Sequence, residues 1–265
     1  MSSIENTIIF TIARMNPPTP GHIYLLENMI EKALEEKVGK INIILSATVD
    51  TLKNPIECEE KRQIIYNYGI EIAKNNVEKK MPDKMDEIRN LNTEIICLND
   101  EIEEKYGKSP VVAKFNYMLN NYYNYPRPGL KVLLVIGKDR ENDYNFFNKM
   151  LNEMNPPVVF NKFVVPRPEN AISATMIRGL ATSNNPEDEN TFLNYMNSIG
   201  MDKPEASSLM YQIRDNTQVS KKAKLKGGKR KIRSKNKKIT KAKTKRINKS
   251  KTNKRKNKSK SKKNK

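Results

Sequence analysis

Arg14, Thr19 and His22 lie in one short stretch, Arg14-Met15-Asn16-Pro17-Pro18-Thr19-Pro20-Gly21-His22, and His22 is the only histidine of the chain. The apolar run Ile8 to Ala13 ahead of them reads as a strand, and the Pro-rich turn delivers Gly21 and His22 to a helix start. Such a turn presents unpaired backbone N–H groups and the positive end of a helix dipole, which together attract phosphate. Transfer of a nucleotidyl group needs donors at fixed positions, because charge builds on the triphosphate as pyrophosphate leaves. A guanidinium grips two oxygens at once, a hydroxyl donates to a third, and an imidazole donates at the α-phosphate. Ala13, Met15 and Gly21 supply the backbone beside them. Taken alone, a lone histidine at a helix end is satisfied by backbone; the flanking pattern is what favours chemistry.

Three further segments carry polar chemistry. Ile172-Ser173-Ala174-Thr175-Met176-Ile177-Arg178 opens a helix with two hydroxyls and an arginine one turn on, which makes either a simple cap or an anion nest. Gly137-Lys138-Asp139-Arg140 offers a small residue for close approach and a carboxylate suited to ribose hydroxyls. Ser46-Ala47-Thr48-Val49-Asp50 is followed by Asn54-Pro55 and by Lys61-Arg62; the last two read as solvated helix-surface charge.

Positioning these segments requires alternating elements. Strands are predicted over Ile8–Arg14, Ile41–Ala47, Thr93–Leu98, Lys131–Gly137 and Val158–Val165, and helices over Gly21–Lys37, Glu57–Lys74, Pro110–Tyr122 and Asp143–Met154. Short helices are predicted through 171–216. The alternation predicts an α/β fold, a Rossmann-like doubly wound parallel sheet of five strands. Ligands of such sheets bind beyond the carboxyl ends of the strands, where strand order reverses, and every candidate segment follows a strand.

Together these residues resemble the cytidylyltransferase-like, or nucleotidyltransferase, superfamily. Thr19-x-Gly21-His22 is similar to its (His/Thr)-x-Gly-His signature, and Ile172 to Arg178 to its Ile-Ser-Ser-Thr-x-Ile-Arg signature. Ser46 with Asn54-Pro55, and Gly137-x-Asp139-Arg140, look like the spacing in nicotinamide-mononucleotide adenylyltransferases and related proteins of large phages and DNA viruses. The resemblance covers residues 7 to 215 and implies the HUP-type version of this fold. It further implies transfer of AMP or CMP from ATP or CTP to a small phosphorylated acceptor, with Mg²⁺ carried by the triphosphate. His22, Thr19, Arg14 and Arg178 would hold the triphosphate; Ala13, Met15, Gly21, Gly137, Asp139, Ser173 and Thr175 would bind the nucleotide; Ser46, Thr48 and Arg140 would face the acceptor. The chain departs from the pattern at Ala13, where many members have Gly, at Thr19, in place of His, and at Ala174, in place of Ser. Class I aminoacyl-tRNA synthetases have a related signature, but the Lys-Met-Ser-Lys-Ser loop is missing here.

The net charge of +20 is unevenly spread. Residues 221–265 hold 25 of the 50 Lys and Arg and none of the 30 Asp and Glu, which leaves residues 1–220 at −5. The segment from 217 on has hardly any apolar residue and is predicted to be a disordered tail that attracts polyanions, nucleic acid among them. It contains no aromatic residue, so base stacking is excluded. The organisation expected is a domain over 1–216 and a tail over 217–265. An alternative function is a catalytically silent domain that binds nucleic acid through this tail. Cys58 and Cys97, the only cysteines, have no metal-type spacing and are expected as reduced thiols of a cytoplasmic or nuclear protein, including an infected host cell. No protein-bound metal, signal peptide or membrane span is expected. The loops Asn75–Asn92 and Asn99–Ser109 are expected to choose the acceptor.

Overall fold

A computed structural model describes residues 6–47, 54–98, 100–107, 109–126, 128–168 and 171–217. The chain divides into two units, Met1–Thr217 and Gln218–Lys265. The basic tail and Thr48 lie outside the described residues.

The first unit is an α/β layer structure. Its strands are β1 (Thr7–Ala13), β2 (Lys40–Leu45), β3 (Asn92–Ile96), β4 (Lys131–Gly137) and β5 (Val159–Val165). The helices are α1 (Pro20–Glu35), α2 (Cys58–Ile64), α3 (Glu71–Lys80), α4 (Met85–Asn90), α5 (Asp100–Tyr106), α6 (Pro110–Tyr122), α7 (Phe146–Asn152), α8 (Ala174–Thr182), α9 (Pro186–Ser198) and α10 (203–217). All pairings are parallel, in the order β3-β2-β1-β4-β5. The chain therefore winds outward from β1 twice, first through β2 to β3 and then through β4 to β5. The switch point falls between β1 and β4.

Alternation along β1 builds both layers, since successive side chains of a strand leave opposite faces. Ile9 and Ala13 join a core with α1, α2, α3, α8, α9 and α10, while Ile8, Phe10 and Ile12 join a second core with α6 and α7. In the second core the Phe10 ring lies 5.1 Å from Phe115 and 6.0 Å from Phe147, centroid to centroid. A strand buried on both faces has no polar side to alternate with, which is why β1 reads as a continuous apolar run.

Several expected boundaries shift. The helix expected over Glu57–Lys74 runs from Cys58 to Lys80, with a π-helical segment at Ile65–Ile70. The segment Asn75–Asn92, expected as a loop, is helical through most of its length, and α5 occupies most of Asn99–Ser109. Neither is an open loop. The apolar contacts of Val77 and Ile88 are what draw the first of them into the core. The helix expected over Asp143–Met154 narrows to α7, because residues 138–145 stay in turns closed by Glu141 N–H to Lys138 O and Asp143 N–H to Arg140 O.

Two expectations about charge and redox state are corrected. Cys58 and Cys97, separated by 39 residues, form a disulfide with Cα atoms 5.9 Å apart, because α2 begins beside the end of β3. Lys61 is not surface charge: it is fully buried and its ammonium donates to the Ser46 carbonyl at 2.5 Å. Burial, and behind it the Lys114 ammonium, pull Lys61 down to about 8. Arg62 is exposed as expected and pairs with Glu59.

Candidate functional site

The carboxyl ends of β1, β4 and β5 and the first turns of α1 and α8 enclose a cleft of about 300 Å³. Its position is the switch point of the sheet. Arg14, Thr19, Gly21 and His22 line it from the first segment, Gly137, Asp139 and Arg140 from the turn after β4, and Ser173, Thr175 and Arg178 from the start of α8; Ala13 and Met15 complete the set.

Thr19 is the N-cap of α1, and Pro20 takes the first helical position, where its missing N–H costs nothing. His22 stands three residues on and folds back. Its Nδ1 accepts from the Thr19 backbone N–H at 3.1 Å and lies 2.9 Å from Thr19 Oγ1. This is a capping box with histidine in the place usually taken by Glu or Gln. Because Nδ1 is the acceptor, the neutral ring carries its proton on Nε2, which is thereby the ring's donor. Burial holds the imidazole down at about 4 from an ordinary 6.5; Asp139 opposes the shift and Arg167 and Arg140 reinforce it. The ring is a neutral donor at physiological pH.

At the opposite wall Ser173 caps α8, its hydroxyl accepting from Met176 N–H at 3.1 Å. Arg178 donates to Thr175 Oγ1 at 3.0 Å and to the Asn16 carbonyl at 2.6 Å, which ties α8 to the Pro-rich turn. Arg140 holds Asp143 at 2.9 Å. A Cβ at Gly137 would stand 2.8 Å from Asp139 Oδ1, so any larger residue there would turn the Asp139 carboxylate aside.

The cleft thus gathers four guanidiniums, from Arg14, Arg140, Arg167 and Arg178, against one lining carboxylate, Asp139. Low-dielectric walls on both sides focus that field and favour a polyanion.

No protein-family model and no curated protein matches the sequence.

One expected acceptor residue, Ser46, does not line this cleft. Ser46 follows β2 on the far side of β1, where its N–H donates to the Ala13 carbonyl at 3.2 Å and its carbonyl serves Lys61. Thr48 lies outside the described residues. Arg140 does line the cleft, in the turn after β4.

Other lining residues carry no sequence signal of their own. Arg167 sits in Pro166-Arg167-Pro168 just after β5 and donates to the Ala171 carbonyl at 2.9 Å; its place between a strand end and a helix start was the available clue. Thr11 sits within β1, its hydroxyl buried and without a protein partner among the described residues. Met15 is buried with φ of +42°, a left-handed conformation that costs a non-glycine residue about 1 kcal/mol.

For a magnesium ion the cleft offers one carboxylate, and the described residues hold no group of three or more His, Cys, Asp or Glu side chains together. That donor set fits an ion carried mainly by phosphate oxygens, since Mg²⁺ keeps most of its waters and takes one or two carboxylates. No helix among the described residues is long and apolar enough to cross a membrane.

Proposed function

We propose that the Met1–Thr217 unit is a nucleotidyltransferase that transfers AMP or CMP from ATP or CTP to a small phosphorylated acceptor. One observation carries this reading: the His22, Asp139 and Arg178 segments, far apart along the chain, line one cationic cleft at the switch point of a parallel sheet. A phosphate oxygen of the acceptor attacks the α-phosphorus, a new P–O bond forms, and the bond to the β-phosphate oxygen breaks as pyrophosphate departs. His22 donates from Nε2 to an α-phosphate oxygen, where negative charge grows. Thr19 and the Gly21 N–H at the α1 start hold neighbouring oxygens, and Arg14 and Arg178 neutralise the leaving pyrophosphate. Asp139 accepts from ribose hydroxyls; were a magnesium ion to arrive on the triphosphate, this carboxylate would be the lining group able to hold it, and the ion would supply neutralisation of phosphate charge. Ser173 and Thr175, at the head of α8, close the phosphate side.

The test is pyrophosphate release by the full chain with ATP or CTP and Mg²⁺, with nicotinamide mononucleotide, phosphopantetheine, choline phosphate and glycerol phosphate as acceptors. Release with one combination supports the reading. Absence of both release and nucleotide-induced thermal stabilisation would count against it.

A second reading rests on residues 221–265, where 25 of 45 positions are Lys or Arg. Such a segment binds nucleic acid without sequence preference and with steep salt dependence. Deleting 218–265 separates the two: pyrophosphate release survives if the cleft is catalytic, and nucleic-acid binding is lost if the tail carries it.

A further inference from the structure

We propose that Asn16 is a positioning residue through which the phosphate cleft and the segment behind β2 respond to one another. The inference rests on the polyphosphate reading of the cleft for its purpose, but its geometry stands apart from it. Asn16 is 1% exposed. Its Nδ2 donates to the Ile56 carbonyl at 3.0 Å, and its Oδ1 accepts from the Ile56 N–H at 3.2 Å. The carboxamide therefore serves both backbone groups of one residue, as a strand neighbour would, and reversing the amide would lose both bonds. The Asn16 backbone carbonyl meanwhile accepts from Arg178 at 2.6 Å. One residue thus joins α8, the Pro-rich turn and residues 54–56, which otherwise lie 40 and 162 positions away in sequence.

The 54–56 segment is gripped from its other side by Asn216 of α10, whose Nδ2 donates to the Pro55 carbonyl at 2.6 Å. Asn54-Pro55 leads from the end of β2 into α2, the side of the sheet where Ser46 lies. Arg178 lines the cleft and divides its donors among the Asn16 carbonyl, Thr175 Oγ1 and an arriving phosphate. A polyphosphate that holds the guanidinium fixes the Asn16 carbonyl with it, and the carboxamide carries that order to Ile56. Filling the cleft then orders residues 54–56 on the β2 side, a positive coupling between cleft occupancy and that segment.

Amide hydrogen exchange at Ile56, measured by NMR on the full chain with and without sodium tripolyphosphate, tests this. Arg178→Lys should speed Ile56 exchange by about tenfold without ligand, and tripolyphosphate should slow it by a similar factor in the wild type. Ile9 in β1 serves as the reference amide and should not move. Asn16→Ala should expose Ile56 and abolish its response to tripolyphosphate. Should that variant fail to fold, Asn16→Asp retains the acceptor for the Ile56 N–H and should give a weakened response. A merely structural Asn16 would lower global stability and shift Ile9 and Ile56 together. Ile56 exchange that ignores Arg178→Lys overturns the proposal, as does tripolyphosphate that binds without slowing Ile56. A wild type that fails to bind tripolyphosphate, with Ile56 still responding to Arg178→Lys, would sink the nucleotide reading while leaving the coupling intact.

Discussion

The Thr19 backbone N–H donates to Nδ1 of His22 across one turn, at 3.1 Å. The same ring therefore ends a helix and, by giving Nδ1 to that task, fixes Nε2–H as its free donor. The helix cap is thus what aims the ring's remaining donor.

The cap that His22 makes and the catalytic role proposed for it can be separated by substitution. Glutamine is the ordinary third residue of a capping box, so His22→Gln should keep the bond to Thr19, whereas His22→Ala should lose about 1 kcal/mol of stability. Both should lower kcat for pyrophosphate release by about 10²- to 10³-fold, the usual cost of removing one transition-state donor. Recovery of kcat along with melting temperature in His22→Gln would show that capping was the whole role.

The lowered His22 pKa gives a pH dependence of stability with a definite sign. Between about 4, the folded value, and 6.5, the ordinary one, the unfolded chain holds the proton and the folded chain does not. Stability from this group is thus fully present above 6.5 and is lost as pH falls toward 4, by about 2 kcal/mol once its partial exposure to the cleft is allowed for. Urea unfolding at pH 7, 5.5 and 4.5 should show this loss in the wild type. The difference between wild type and His22→Gln should shrink or reverse at the lowest pH.

Gly21 should show a trade between stability and binding. A Cβ there would meet only Ala171 Cβ at 3.7 Å and Thr19 Oγ1 at 3.8 Å, both ordinary contacts. Gly21→Ala, within the first turn of α1, should raise stability by up to about 1 kcal/mol through reduced freedom of the unfolded chain. The added methyl takes space at the head of the helix where phosphate would approach, so tripolyphosphate affinity should fall. Calorimetric titration beside a melting curve reads both, and unchanged affinity would remove Gly21 from the site.

Lys114 and Glu103 form a buried pair between α5 and α6. Glu103→Gln leaves the ammonium without its counter-charge and should cost about 3–5 kcal/mol, while Lys114→Met with Glu103→Leu should be far milder. Chemical denaturation of both variants checks the order, and a larger loss in the double substitution would contradict it.

Much of the fold was legible because its signals are local. The strand and helix at Lys131–Gly137 and Pro110–Tyr122 have the observed bounds, since an apolar run and a Pro-headed amphipathic stretch need no distant partner to be recognised. The lost boundaries were those set by contact. Met85–Asn90 carries charge on half of its positions and becomes helical by burying Ile88, and Lys61 reads as surface charge until Ser46 and α6 are folded over it.

By itself the sequence determined the parallel order of events along the chain and the residue types able to meet a phosphate: Arg14, Thr19, His22, Gly137, Asp139, Ser173, Thr175 and Arg178. These follow from backbone periodicity and donor chemistry, which are written residue by residue. Only the tertiary structure decided that those segments share one cleft, that Arg140 and Arg167 join them while Ser46 does not, and that Cys58 meets Cys97. Each of these depends on which strand lies beside which. In a parallel sheet neighbours are joined by long crossovers, so adjacency is settled by packing of both faces together and by no stretch of sequence alone.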